Sequence, residues 1–326
     1  MRKVFLVCLL FAVVSSLMAS DQSRPVRPVN TYSIVCYDPE TNQFGAAVQS
    51  HWFKVADVIW AEPGVGVVAT QSLADFSYGP LGVEMMRYGK SAQEALAGVI
   101  ASDPNYDVRQ VAMIDSYGNV ATHTGENCIA EAGHHAGRFY SVQANLMEKS
   151  TVWDAMAEAY ENSEGDLADR MMAALEAAQA EGGDIRGKQS AAMIVVSGDP
   201  SGIEWRDKLV DIRVDDSSEP LVELRRLLNI TRAYNYMNEG DEHIAAGDFD
   251  KASEAYGMAS DLAEGNPEIL FWYAVALVTA EEVEMSLPIF KDVFEMDENW
   301  RVLVPRLVES ELLPSDDELI ELITSQ

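Results

Sequence analysis

Hydroxyl, imidazole, amide and guanidinium groups recur at the ends of strand-like runs in this sequence. They stand in Ser50-His51-Trp52-Phe53, Thr70-Gln71, His123-Thr124-Gly125-Glu126, Gly133-His134 and Gln143-Ala144-Asn145, and in a glycine-rich stretch, 182–190, that carries Asp184, Arg186 and Ser190. In an antiparallel sandwich the strand ends gather at one rim, so such groups converge on one polar cleft. A single group of this kind is most often a cap or a turn residue. This many exceed what turns require, and the chemistry they offer is hydrogen bonding and proton transfer around a small polar substrate.

Other chemistries lack their patterns. The five histidines, His51, His123, His134, His135 and His243, include no HExxH, and a helix would aim the adjacent His134 and His135 to different sides. No metal and no cofactor are therefore expected. No GxSxG elbow, GxGxxG turn or P-loop occurs, which argues against an α/β-hydrolase and against nucleotide binding. Cys128 lies near His123 and His134 and is compatible with a Cys–His pair, although a satisfied, partly buried thiol is the commoner fate of such a cysteine. Whether Cys36 and Cys128 pair with each other is not legible. The 53 acidic residues outnumber the 23 basic ones for a net charge of −30, so a nucleic acid or an anionic membrane surface is repelled.

The elements that must position these groups follow from the hydrophobic patterning. Residues 31–37 and 44–50 read as strands joined by turn formers at 38–43, and a third strand fits 65–71. Helical spacing covers 81–88 and 91–101, with Ser91 and Glu94 as a capping box. Strands return at 108–115 and 119–124, helices at 151–162 and 166–181, and strands at 190–197 and 209–214. Strands separated by pairs of helices predict an α+β fold with mostly antiparallel sheets.

The two ends differ from this body. Residues 1–19 combine Arg2 and Lys3 with a short apolar run and a small-residue exit, the parts of a secretory signal peptide. The run is too short to span a bilayer, so the chain is expected to be exported, periplasmic or extracellular, without stable membrane insertion. Residues 20–30, with Pro25 and Pro28, read as a spacer or propeptide. Residues 217–326 hold 24 acidic and 7 basic residues and repeat at an offset of 34, so that Tyr236 matches Leu270, Gly240 matches Ala274, and Tyr256 matches Phe290. That is the period of tetratricopeptide repeats, and residues 302–323 would cap the open end. The expected domains are 31–228 and 229–326.

The segments Thr31-Tyr-Ser-Ile-Val, Asp38-Pro-Glu-Thr, Ser50-His-Trp-Phe53, Val68-Ala-Thr-Gln71, Tyr78-Gly-Pro-Leu-Gly82, His123-Thr-Gly125, Ala132-Gly-His134 and Gly182-Gly-Asp-Ile-Arg-Gly-Lys-Gln-Ser-Ala191 resemble the bacterial family known as domain of unknown function 1028. One departure is Ala144, where that family tends to carry glycine. The resemblance implies an N-terminal nucleophile (Ntn) hydrolase, a four-layer αββα sandwich that acts on amide bonds. In such enzymes the first residue attacks with its hydroxyl, and its own α-amine, of reference pKa ~7.7–8.0, takes the proton.

By that resemblance Thr31 is the preferred nucleophile and Ser33, on the same strand face, the runner-up. Asp184 and Ser190 are expected to orient the amine and hydroxyl, and Arg186 to hold a substrate carboxylate or to pair with Asp184. His51, Gln71, His123 and Asn145 are expected as polar contacts or oxyanion donors. All of this requires the spacer to be removed at Asn30-Thr31.

The reading is thus an exported amidohydrolase of a small amide or peptide-like substrate, with a protein partner recruited by the C-terminal repeats. The alternative is a catalytically silent Ntn-fold domain that binds a small polar ligand, such as a cell-wall fragment, or acts as a scaffold. Ntn folds often assemble, so a homo-oligomer fits either reading.

Overall fold

The computed structural model describes residues 28–326. The signal segment and most of the expected spacer lie outside the described residues. The chain divides into a first compact unit ending at Leu221 and a second, Val222–Gln326.

The first unit is built on two antiparallel sheets. Strands β1 (Thr31–Asp38), β2 (Gln43–Ser50), β7 (Gly133–Gly137), β8 (Tyr140–Ala144), β9 (Ser190–Ser197) and β10 (Lys208–Val214) form one, in the order β10-β9-β2-β1-β8-β7. Strands β3 (Ile59–Glu62), β4 (Gly66–Ser72), β5 (Arg109–Asp115) and β6 (Val120–Thr124) form the other, in the order β3-β4-β5-β6. Helices α1 (Tyr78–Arg87) and α2 (Ala92–Ser102) pack on the outer face of the four-stranded sheet. Helices α3 (Val152–Asn162) and α4 (Leu167–Ala180) pack on the outer face of the six-stranded one. The Ser91 capping box forms as expected: Ser91 Oγ accepts from the Glu94 backbone N–H at 3.2 Å, and the Glu94 carboxylate accepts from the Ser91 N–H at 3.0 Å.

Period-two alternation decides what lies between the sheets. Val35, Phe44, Ala46, Val48, Val67, Ala69, Ala112, Ile114, Ala192 and Val196 form one buried cluster there. Residues of the opposite phase, such as Val68, Val111 and Met113, turn outward to meet α1 and α2. Gly45 faces α4, where a Cβ would stand 2.7 Å from the Met171 methyl, so the close approach of that helix needs glycine.

Three strands and a short helix escape the sequence signal. β3 has four residues, and β7, Gly-His-His-Ala-Gly, has no β-branched or large apolar side chain and lies at an edge. β8 alternates over only five residues, and the phase it turns inward is the polar one. A single turn, α5 (Glu204–Asp207), precedes β10.

The second unit is helical: α6 (Pro220–Ala245), which begins at the end of the first unit, α7 (Phe249–Leu262), α8 (Pro267–Thr279), α9 (Val283–Met296), α10 (Asn299–Glu309) and α11 (Asp317–Thr324). α7 and α9 are each 14 residues long and start 34 residues apart, at 249 and 283. Small residues at Gly240 and its match Ala274 have a packing reason, seen at the first of the two. Gly240 lies so close to the Tyr256 ring that a Cβ would come within 2.5 Å of it. Tyr256 stacks on Tyr273 with centroids 4.2 Å apart. No helix among the described residues is long and apolar enough to cross a membrane.

The apolar inter-sheet cluster carries the stability of the first unit. Ile114→Ala, at a fully buried position, is expected to cost about 2–5 kcal/mol, read as a lower urea midpoint at unchanged slope. A loss below about 0.5 kcal/mol would contradict this placement of the core.

Candidate functional site

The layer between the sheets changes character along its length. Beyond the apolar cluster the same inward phase carries Thr31 and Ser33 on β1, Gln71 on β4, Gln110 on β5, and Ser141 and Gln143 on β8, all at most 1% exposed. Buried amides and hydroxyls must find partners, and here they find one another. Ser33 Oγ donates to Gln71 Oε1 at 2.6 Å and accepts from Gln143 Nε2 at 2.6 Å. Gln71 Nε2 donates to Gln110 Oε1 at 2.7 Å and to the Thr31 carbonyl at 3.2 Å. Asn145, just past β8, joins Gln110 Oε1 through Nδ2 at 2.8 Å, and its backbone N–H reaches the Thr31 carbonyl at 3.1 Å. The Ala144 carbonyl accepts from Gln110 Nε2 at 2.9 Å.

Thr31 opens β1, a central strand, and is fully buried. Its nitrogen is a peptide nitrogen, because the chain continues upstream. Val29 exchanges two backbone hydrogen bonds with Ser72, at 2.7 and 2.9 Å, so the last spacer residues are tied to the four-stranded sheet. Between these anchors the Asn30 carbonyl accepts from Ser50 Oγ at 2.5 Å and from Arg186 Nη2 at 2.9 Å. The Asn30 side chain is also fully buried, and neither its Nδ2 nor its Oδ1 has a partner among the described residues. Asn145 Oδ1 and His51 Nδ1 share that condition. Each such group costs about 1–3 kcal/mol of desolvation, which sets the Asn30 side chain, with both of its polar atoms unpartnered, apart from the satisfied network beside it.

Arg186 and Asp184 form the pair that the sequence left as one of two options. Arg186 Nε meets Asp184 Oδ1 at 2.9 Å and Arg186 Nη2 meets Asp184 Oδ2 at 2.6 Å, with the Asp184 side chain wholly buried. Asp184 Oδ2 also accepts from the His51 backbone N–H at 3.2 Å. The pair fixes the guanidinium on the Asn30 carbonyl. Burial, then the Asp184 charge, raises the Tyr32 phenol well above its ordinary value, so it stays neutral and donates to Gln179 Oε1 at 3.0 Å.

Two of the expected residues face elsewhere. Ser190 Oγ donates to the Trp52 carbonyl and accepts from the Val55 N–H at 3.1 Å, so it ties down the 52–55 loop. His123 pairs with Val111 across β5 and β6, and its Nε2 lies 2.8 Å from the Tyr106 carbonyl, away from the network. Thr124, its neighbour, has the inward phase instead and bonds Gln110 Nε2 at 3.0 Å. The 184–186 turn, Gln71 and Asn145 are brought together around Thr31. Gln110 and Gln143 carry as much of the network, and the Asn30 carbonyl takes two donors beside it; none of the three was singled out as a site residue. The inward phase of β5 and β8 is the signal that finds the two glutamines.

No Cys–His pair forms. Cys128 Sγ donates to the Arg109 carbonyl at 3.4 Å, while His134 Nδ1 lies 2.8 Å from Thr124 Oγ1. Burial raises the Cys128 thiol, and burial followed by the charges of His123 and His135 lowers His134, so both are neutral near pH 7. Cys36 and Cys128 are both free, and burial pushes Cys36 up to about 12. A separate cavity of about 600 Å³ on the helix side of the four-stranded sheet is lined by Asp75, Tyr78, Asp103 and Arg109 and excludes Thr31. Among the described residues no group of three or more His, Cys, Asp or Glu could hold a metal ion.

Removing the guanidinium strands a buried carboxylate. Arg186→Ala is expected to cost about 3–5 kcal/mol, and adding Asp184→Asn to recover part of it, both read by urea unfolding. Equal stability of the single and double variants would show that the pair is not electrostatically coupled.

The comparisons with known proteins agree with this architecture. The family of unknown function DUF1028 matches residues 31–224. A crystal structure of a Silicibacter pomeroyi protein of the same family is similar at 28% identity and a TM-score of 0.55, over 61% of this chain and 88% of that one. A search of curated proteins found no significant match.

Proposed function

The chain belongs to the DUF1028 family over residues 31–224, and on that premise we propose that it is an exported Ntn-type amidohydrolase whose nucleophile is Thr31. The observation that carries the reading is the setting of Thr31. It heads a central strand inside a buried polar network, directly after a carbonyl held by Ser50 and Arg186. Two helix pairs packed outside two antiparallel sheets suit the αββα layering of that enzyme class.

Once the spacer is released, Thr31 carries a free α-amine beside its own hydroxyl. The neutral amine takes the hydroxyl proton, and Oγ1 attacks the substrate carbonyl carbon. The amide C–N bond breaks as the α-ammonium hands that proton to the leaving amine, and water then hydrolyses the acyl ester to free the carboxylic acid and Thr31. Ser50 Oγ and Arg186 Nη2 lose the Asn30 carbonyl and turn to a substrate oxygen, with Asp184 holding the guanidinium in place. Asn145 donates from its backbone to the Thr31 carbonyl and fixes the strand head. Ser33 is less suited to attack, because its hydroxyl is committed to Gln71 and Gln143. The substrate is a small amide or peptide-like molecule with an anionic or strongly polar group that suits Arg186.

The helical unit serves as a protein-binding module of tetratricopeptide type, as the 34-residue recurrence of its helices and its acidic composition suggest. A second reading has its own support. In the continuous chain Thr31 is buried and lacks a basic nitrogen, so a chain that keeps its spacer is a binding domain rather than an enzyme.

Hydrolysis of a panel of small amides by the chain beginning at Thr31 tests the first reading. Thr31→Ala is expected to reduce it to background, and kcat/KM to rise with pH as the amine loses its proton near its reference value of ~7.7–8.0. Undiminished hydrolysis by Thr31→Ala would remove Thr31 from the mechanism.

A further inference from the structure

We propose that Asn30 breaks the bond that frees Thr31, by cyclising its side-chain amide onto its own backbone carbonyl. The inference rests on the Ntn-type reading for its purpose but on separate observations for its chemistry. The Asn30 side chain is fully buried at the junction, with Nδ2 and Oδ1 both unpartnered among the described residues. No competing hydrogen bond there holds the amide away from the carbonyl next to it. That carbonyl oxygen already receives two donors, Ser50 Oγ at 2.5 Å and Arg186 Nη2 at 2.9 Å. They stand where negative charge develops when the carbonyl carbon is attacked.

Both flanks of the bond are pinned. Val29 is paired with Ser72 upstream, and Thr31 is paired with Ser50 across β1 and β2 downstream. Asn30 thus lies between two fixed points. The Thr31 hydroxyl, by contrast, points back to the Val29 carbonyl at 3.4 Å, one peptide upstream of the bond to be broken.

The step balances without a co-reactant. The Nδ2 lone pair forms a bond to the Asn30 carbonyl carbon, closing a five-membered succinimide. The bond from that carbon to the Thr31 nitrogen breaks, its electron pair stays on nitrogen, and one proton passes from Nδ2 to that nitrogen. The products are a leader ending in a C-terminal succinimide and a chain whose first residue is Thr31 with a free amine. Asp184 acts only by holding Arg186 on the carbonyl oxygen.

The test uses the full chain, with intact mass and N-terminal sequencing of the protein and mass analysis of the released peptide. The wild type is expected to yield a chain starting at Thr31 and a leader one water lighter than the hydrolytic product. Asn30→Ala is expected to keep the bond, with a thermal melt confirming that the variant folds, while Thr31→Ala still releases its leader. Release lost in Thr31→Ala and kept in Asn30→Ala would assign the cleavage to the hydroxyl, which overturns this proposal and leaves the amidohydrolase reading standing. Release in both variants would assign it to another protease and overturn it equally. A wild-type chain that stays joined also overturns it. Amide hydrolysis by a chain produced with Thr31 first then decides the amidohydrolase reading separately.

Discussion

Two sheets that share one buried layer must satisfy every polar atom they place in it, and the first unit is organised by that requirement. At one end the layer is filled by Val35, Phe44, Val48 and Ile114, which ask only for close packing. At the other end Ser33, Gln71, Gln110, Gln143 and Asn145 are linked into one network, in which the Gln71 and Gln110 amides each serve several partners. A network of this kind holds its members in one arrangement, because losing any bond leaves a buried group unpaired. The head of β1 is fixed by that network. What is not satisfied within it, above all the Asn30 side chain, therefore stands out against a background in which most else is.

The site is distributed over the fold accordingly. The carbonyl before Thr31 is reached by β2 through Ser50 and by the turn before β9 through Arg186, while β4 and the end of β8 meet the carbonyl after it. Neither set suffices alone, because each strand supplies one contact and the register supplies their convergence. The Asp184–Arg186 pair extends the same logic: the buried carboxylate is tolerated because the guanidinium sits on it, and the guanidinium is thereby aimed.

Much of this was legible in the residues. The longer strands, the two helix pairs, the capping box at Ser91 and the 34-residue recurrence of the C-terminal helices each follow from a local periodicity or a cap. The Asp184–Arg186 pairing was one of two options, since two residues in one turn are always within reach. β7 escapes because Gly-His-His-Ala-Gly has no strand-forming side chain, and β8 because its alternation spans only five residues and turns Ser141 and Gln143 inward. Gln110 lies on an expected strand and Gln143 stands in a strand-end cluster, but the importance of each depends on which strands become neighbours. His123 was expected at the site by the resemblance and by its place at a strand end, yet adjacent residues of a strand face opposite sides, and it is Thr124 that joins the network. Asn30 read as the end of a spacer, and only burial and the state of its carbonyl distinguish it.

The attacking group proposed is the hydroxyl at the head of β1. Treating the chain that begins at Thr31 with an acylating electrophile that mimics an amide, such as a β-lactone, and mapping the adduct by peptide mass spectrometry tests it most directly. One adduct, on Thr31, is expected. An adduct on Ser33 or Cys128 with Thr31 unmodified, or no adduct under conditions where amides are hydrolysed, would contradict it.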